Sequence, residues 1–395
     1  MKTTLLAGAF LSAFLVSSPP APSQGKPVLK TGDRKKLAKP VGDWIQAKIS
    51  KDYEKALDAF SSADKASASV QKKLRDKPLF SLVSDWEAIL DSARKFTTSG
   101  LRKGKVENAS VGEETYGLRL PKSYRPTKAS YPAILLLPDS GSAPMDAIQT
   151  LPADTLDQWV VIAPDLQDVP ADQVLELKGR TRILRSFGSA GLRIHLDRNR
   201  VFLLGQGSNA STAVTYAALL PHFFAAAAVV GDEQPTEEQK NDLQWVPFQA
   251  FSDAGEACKW FLDQKPRTAY PSSFQHTLTQ PWAGRAYWVQ ALRFEPSAAD
   301  GKGKPARMKV AVDRGSNTIR LDCTNVYEVA LYLNDEILDL SKPIHVVRNG
   351  TDFEYQATRS LSTLLNNYVR TGDALAIFPA MIRRLSIPSE VEAGS

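Results

Sequence analysis

Hydrophobic positions change rhythm twice along the chain. In VGDWIQAKISKDYEKALDAF, residues Ile45, Ile49, Tyr53, Leu57 and Phe60 recur every three or four positions, the spacing that places them on one stripe of a helix. A second helical pattern runs through LFSLVSDWEAILDSARKF, with Leu82, Trp86, Ile89, Leu90 and Ala93 on its apolar side and Ser84 or Asp85 near its start as a cap. Between them lies a polar Ser/Ala/Lys-rich stretch, readable as helix or linker, and before them a basic, proline-containing linker, KPVLKTGDRKKLAKP. The pattern predicts a small helical hairpin whose aromatic residues are core rather than ligand contacts.

From about Lys105 the rhythm is different. ETYGLRLP alternates like a strand, whereas YPAILLLPDSG, WVVIAPDL and RVFLLGQG contain continuous apolar runs, as expected of strands covered on both faces of a parallel sheet. DQVLELKGRTRILRSFGSAGLRI and STAVTYAALLPHFF are compatible with helices, and AAAAVVG with another strand. Strand alternating with helix predicts an α/β domain with an open, wound, mostly parallel sheet. After roughly Lys265 the segments GRAYWVQALRF, ARMKVAVD, NTIRLDC, EVALYLN, PIHVVRNG and DFEYQAT read as short alternating strands parted by turns, which describes a β-rich domain. One helix follows, SLSTLLNNYVRTG, with Ser360 as its cap and Gly372 near its end, and ALAIFPAMIRRLSI supplies a last strand. The expected organisation is a helical region over 24–104, the α/β domain over 105–265, the β-rich domain over 266–388 and a disordered tail over 389–395.

Composition narrows the class. At 395 residues the chain can hold two or three domains, and 43% hydrophobic with 23% charged residues is ordinary for a soluble globular protein. The formal charge of +6 comes from 49 basic and 43 acidic side chains scattered along the sequence. A nucleic-acid partner needs a concentrated basic patch, so none is expected. The start, MKTTLLAGAFLSAFLVSSPPAPSQG, has a basic n-region, an apolar run from Leu5 to Val16 and small residues before Gln24. That is a secretory signal spanning 1–23, and its apolar stretch is too short for a stable membrane span. The expected location is therefore outside the cell or in its envelope. Cys258 and Cys323 belong to no metal-type grouping and read as two separate small buried residues.

The segment VFLLGQGSNASTAVTYAALLP carries the candidate chemistry. It reads as strand, glycine turn and helix, and together with YGLRLPKSYRPTKASYPAILLLP, VVIAPDL and LDRNRVFLLGQG it resembles the α/β-hydrolase fold in its esterase and peptidase branch. The flanks resemble those of secreted multidomain esterase-like proteins. The resemblance implies a nucleophile elbow Gly-x-Ser-x-Gly with partners in the chain order Ser, Asp or Glu, His. Here the elbow is Gly205, Gln206, Gly207, Ser208, Asn209, with glycine where the serine belongs and Asn209 at the second flanking glycine.

The other catalytic parts are also degenerate. Ser208 follows the nucleophile position, where a hydroxyl is better explained as a cap for the next helix. Of four histidines, His195 precedes the elbow, His222 sits where the following helix ends and suits a capping role, and His276 and His345 lie in strand patterns. Asp253 falls near the place of the orienting carboxylate and reads as a turn or cap residue. Only a short stretch separates it from Pro266, where an active relative needs a further helix, strand and histidine loop. The loop Pro138-Asp139-Ser140-Gly141 would supply the second oxyanion N–H, yet it brings a proline without an N–H and an aspartate whose charge opposes an oxyanion.

No phosphate loop, zinc spacing or calcium loop is present in the sequence, so no cofactor and no metal are expected. Tyr287 and Trp288 could face a ligand, but strand alternation turns one of them to the core and favours packing. The sequence therefore points to an exported, catalytically inactive esterase-like protein with a binding or structural role toward an envelope or extracellular ligand or protein. The alternative is a working serine hydrolase that uses Ser208 as a displaced nucleophile with Asp253 and His276.

Overall fold

The computed structural model describes residues 27–96, 100–127, 129–295 and 305–388. The expected signal, residues 1–23, and the tail, 389–395, lie outside them.

Three helices open the described chain: α1 (Thr31–Ile49), α2 (Tyr53–Leu74) and α3 (Val83–Ala93). The basic linker expected over Lys26–Pro40 is largely helix, with Pro40 inside α1. A proline there forfeits one backbone hydrogen bond. Burial of Leu37, Val41, Trp44 and Ile45 on the opposite side from Lys35, Lys36 and Lys39 holds the helix regardless. The stripe expected to continue from Ile45 to Phe60 breaks at Asp52, whose carboxylate caps α2 by accepting from the Lys55 N–H at 3.2 Å. The break rotates the second half away from the core, leaving Tyr53 70% and Leu57 71% exposed. The polar stretch is helical because a small-residue face, Ala56, Ala63, Ala66 and Val70, packs against α1. Neither Ser84 nor Asp85 caps α3; the Asp85 carboxylate instead accepts from the Val28 and Leu29 N–H groups at 2.8 and 3.0 Å.

The middle of the chain builds one seven-stranded sheet. Its elements run β1 (Val106–Val111), β2 (Glu114–Arg119), β3 (Tyr131–Leu137), α4 (Pro144–Gln149), α5 (Ala153–Gln158), β4 (Val160–Pro164), α6 (Leu177–Arg193) and β5 (Leu196–Gln206). They continue with α7 (Ala210–Leu219), β6 (Ala226–Val230), α8 (Glu237–Asp242), β7 (Phe248–Phe251) and α9 (Ala254–Leu262). The strand order is β1-β2-β4-β3-β5-β6-β7, antiparallel over the first three and parallel from β4 onward. Period two explains the continuous apolar runs. Ala133, Leu135, Leu137, Val201 and Leu203 join the core under α6 and α7, while Ile134, Leu136, Phe202 and Leu204 join the one under α4 and α9. On that second face Phe202 lies 4.8 Å from both Trp159 and Phe261, ring centre to ring centre. Each such fully buried side chain stabilises the fold by about 1.5–3 kcal/mol relative to exposure.

The remaining strands form a two-sheet unit: β8 (Ser273–Thr277), β9 (Arg285–Ala286), β10 (Val289–Phe294), β11 (Arg307–Asp313), β12 (Thr318–Thr324), β13 (Val326–Leu333), β14 (Ile344–Arg348), β15 (Thr351–Tyr355), then helix α10 (Leu361–Thr371) and β16 (Ala380–Ser386). The sheets are β16-β13-β10-β9 and β15-β14-β12-β11-β8, closed over one shared core. Tyr287 and Trp288 are both buried, against the alternation expected of a strand. Tyr287 adopts φ +50°, which breaks the two-residue rhythm between β9 and β10 and turns both rings inward. Helix α10 is capped by Ser360, which accepts from the Thr363 N–H at 3.1 Å, and ends at Gly372 with φ +62°. It packs Leu361, Leu364, Leu365 and Tyr368 into the core of α1–α3.

Arg267 ties the sheet domain to the segment that follows α10. Its backbone N–H and Nε bond the carbonyl and side-chain oxygens of Asn199 at 2.8 and 3.2 Å, Nη1 donates to the His222 carbonyl, and Nη2 meets Asp373 at 2.5 Å. Both members of that ion pair are almost fully buried. Cys258 and Cys323 are free and buried in different cores.

Candidate active site

Strand β5 delivers the chain to the bend. Gly205, the penultimate residue of the strand, stands where a side chain would be 2.5 Å from the Ala213 Cβ, so α7 can sit close against β5 only because Cβ is missing there. Gly207 follows with φ +53°, in the left-handed region that glycine occupies without steric cost. Beyond it Ser208 and Asn209 form a single tight turn that leads into α7. The bend is therefore a complete strand-to-helix elbow, and its apex carries only hydrogen.

The space above that apex is taken by Asp139, from the end of β3. A Cβ built on Gly207 would lie 2.3 Å from the Asp139 Cγ and 2.4 Å from its Oδ1. Asp139 Oδ1 accepts from the Ser208 N–H at 2.8 Å, the Ser208 hydroxyl at 2.7 Å and the Ser140 N–H at 2.9 Å. The N–H after the nucleophile and one from the β3 loop are the two donors that hold an oxyanion in this kind of elbow. Both point at a resident carboxylate. The Ser208 hydroxyl and then its N–H hold the Asp139 carboxyl below the usual range; slight burial works the other way, and the Ser140 N–H adds to the lowering.

Ser208 does not cap α7, as the sequence suggests it should. Its hydroxyl donates to Asp139 and accepts from the Ser140 N–H at 3.0 Å. A capping hydroxyl must accept from a backbone N–H of the helix, but this oxygen already accepts from the Ser140 N–H, and α7 starts from Asn209 without any side-chain cap. Asn209 is fully buried, keeps an ordinary negative φ of −94°, and donates from Nδ2 to the Pro138 carbonyl at 2.6 Å. It thereby ties the elbow to the Asp139 loop from below.

The other candidates stand apart from Ser208. Asp253 caps α9, its Oδ1 accepting from the N–H groups of Gly255 and Glu256 at 2.7 and 3.0 Å. His276 lies in β8 with no exposed surface and bonds the Ala283 carbonyl through Nε2 at 2.8 Å. A carbonyl can only accept, so the ring proton is on Nε2; burial pushes the imidazole pKa down to about 4, with the Ala283 bond opposing. His222 lies past the end of α7 and does not cap it: the helix closes at Leu220, whose N–H bonds the Tyr216 carbonyl. Its Nδ1 is buried without a hydrogen-bond partner among the described residues, and burial, then Arg285 and Arg267, drive its pKa well below the ordinary value. His195 pairs with Asp91 at 2.6 Å and with the Pro126 carbonyl at 2.7 Å, between α6 and β5. His345 lies on β14 beside Asp352 and Glu354 of β15. None of the four histidines is hydrogen-bonded to Ser208.

Asp139 is the residue whose role the sequence only half disclosed. Its charge marked the loop as hostile to an oxyanion, but its partner was hidden. The available signal was reciprocal: a side chain lost at position 207 and one gained at 139, on strand ends that the α/β pattern makes neighbours. Among the described residues no group of three or more His, Cys, Asp or Glu side chains is placed to hold a metal, and no helix is long and apolar enough to cross a membrane.

The sheet order, the elbow after β5 and the helices on both faces make the central domain α/β-hydrolase-like. No family model and no curated protein matches the chain. Among solved structures it is similar to a thermostable esterase, at 15% identity over 40% of this chain and 49% of that one, with a TM-score of 0.30. It is also similar to an S-formylglutathione hydrolase from Staphylococcus aureus, at 14% identity over 41% and 72% with a TM-score of 0.28. A Pyrococcus horikoshii acylaminoacyl peptidase shares 14% identity over 33% and 23%, with a TM-score of 0.24. The match thus spans about half the length of the thermostable esterase.

Proposed function

We propose that this protein is an exported, catalytically inactive α/β-hydrolase-like protein that serves in binding or as a structural component, with an envelope or extracellular ligand or protein as its partner. The observation that carries the reading is the position of Asp139: its carboxylate overlaps the volume of a nucleophile's side chain and takes up both N–H donors that an acyl-transfer intermediate requires. A tetrahedral intermediate would bring a second negative charge to the same donors. Ser208, the one hydroxyl at the elbow, is bonded to a carboxylate held below its usual pKa, which is a poor proton acceptor, and not to an imidazole.

The test is covalent. Mature protein treated with a fluorophosphonate probe should stay unlabelled and should not turn over short-chain aryl esters above the rate of buffer. Labelling that disappears in Ser208→Ala would reinstate the serine-hydrolase reading. Export rests on the first 23 residues, and is tested by locating the protein in the medium or envelope fraction with a mature N-terminus at Gln24.

A further inference from the structure

Strand β7 is the last of the large sheet. The carbonyls of Pro247 and Phe251 accept from the N–H groups of Ala227 and Gly231, both at 2.9 Å, so these residues turn their backbone polar groups toward β6. Strand alternation then points the N–H and C=O of Phe248 and Ala250 to the free side. Exposed edges are commonly blunted by a proline, a bulge or an inward-pointing charge. The stretch Phe248-Gln249-Ala250-Phe251 has no proline or charge, and its register against β6 is unbroken. After α9 the chain crosses to Arg267 and enters the β-rich unit, so no later described strand lies beside β7.

An open depression of about 840 Å³ lies at the C-terminal ends of β6 and β7 beside α9, lined among others by Asp232, Ala250, Phe251, Ser252, Glu256 and Lys259. It carries two carboxylates against one ammonium, in a chain whose formal charge is +6. The Ser252 hydroxyl donates to Glu256 at 2.9 Å and steadies that carboxylate over the depression. The Phe251 and Trp260 rings, 5.6 Å apart, stiffen the end of the strand against α9.

We propose that this edge binds an extended, positively charged peptide as an additional strand. Main-chain bonds to Ala250 and Phe248 hold the peptide, and its lysine or arginine side chains meet Asp232 and Glu256. A second copy of the chain fits less well, because a two-fold pairing of this edge sets two acidic depressions against each other. The inference stands whether or not the elbow reacts.

The probe is a fluorescein-labelled peptide, Thr-Lys-Val-Lys-Thr-Lys-Val, titrated with the whole protein by anisotropy beside its counterpart with glutamate at every lysine. The basic peptide binds and the acidic one does not. Ala250→Pro removes an N–H that β6 does not use, so the sheet stays intact while affinity falls about tenfold or more, a loss of one outward bond and its register. The double variant Asp232→Asn/Glu256→Gln, confined to exposed side chains, weakens the basic peptide by about tenfold as well. Equal binding of both peptides, or binding unchanged in Ala250→Pro, overturns the proposal. So does self-association that Ala250→Pro abolishes, which would give the edge to a second copy.

Discussion

Asp139 and Gly207, at the ends of neighbouring strands β3 and β5, share one volume: the carboxylate of the first lies within 2.3 Å of where a side chain on the second would begin. The two residues are therefore a coupled pair, and neither can be changed freely without the other.

Gly207→Ser places a side chain both in a left-handed conformation, costing about 1–2 kcal/mol, and into an occupied space, costing about 1–3 kcal/mol more. Urea denaturation should show a clear drop in stability. Adding Asp139→Gly should return the part due to overlap, leaving a coupling of about 1 kcal/mol or more in the double-mutant cycle. Simple additivity would mean that the two side chains do not compete for the space.

His276 makes stability depend on pH. Its folded pKa of about 4 lies below the unfolded value near 6.5, so the neutral ring is favoured in the native state. Stability is at its full value above about pH 6.5 and is lost as the pH falls toward 4; for this one residue the loss is about 2 kcal/mol at pH 5. His222 acts in the same direction. Melting curves at pH 7 and pH 5 should therefore separate more for the parent protein than for His276→Gln, which keeps a donor for the Ala283 carbonyl.

His195 behaves in the opposite sense. Burial works against its protonation, but the bond to Asp91, with help from the Pro126 carbonyl, raises its pKa. Its contribution is fully present below about pH 6.5 and is lost as the pH rises through the folded value. Asp91 is on α3, so this pair joins the helical unit to the sheet domain. In Asp91→Asn the His195 imidazole resonances should titrate at lower pH by NMR; an unchanged midpoint would show that the pair is not formed in solution.

Breaking the Arg267–Asp373 pair leaves one buried charge without its partner, which typically costs about 3–5 kcal/mol. Arg267→Ala also removes bonds to Asn199 and to the His222 carbonyl on the sheet domain. Calorimetry should show a lower melting temperature and a broadening or splitting of the transition as the units uncouple. A single sharp transition at the parent temperature would place the cohesion of the units elsewhere.

The central sheet was legible because physics writes it twice. Residues such as Leu135 and Ile134 are apolar in sequence because opposite faces of β3 are both covered. The helical unit was less legible: Pro40 and the lysines around it resemble a linker, and only the buried positions Leu37 and Val41 keep α1 together. Periodicity also ran straight across Asp52, since a helix break that preserves spacing leaves no gap in the pattern. At Tyr287 a non-glycine residue with positive φ defeated simple alternation. The elbow itself was readable to the residue, as was the charge opposing an oxyanion. That Ser208 would turn to Asp139 and not to the helix was unreadable, because it depends on two loops meeting across the sheet.

Helix α10 completes the core that α1, α2 and α3 leave open. The first helices of the described chain therefore share their core with residues more than 250 positions further on, so that core is complete only once those residues are present. A chain that stops before Leu361 lacks Leu361, Leu364, Leu365 and Tyr368, four of the apolar side chains from which that core is built.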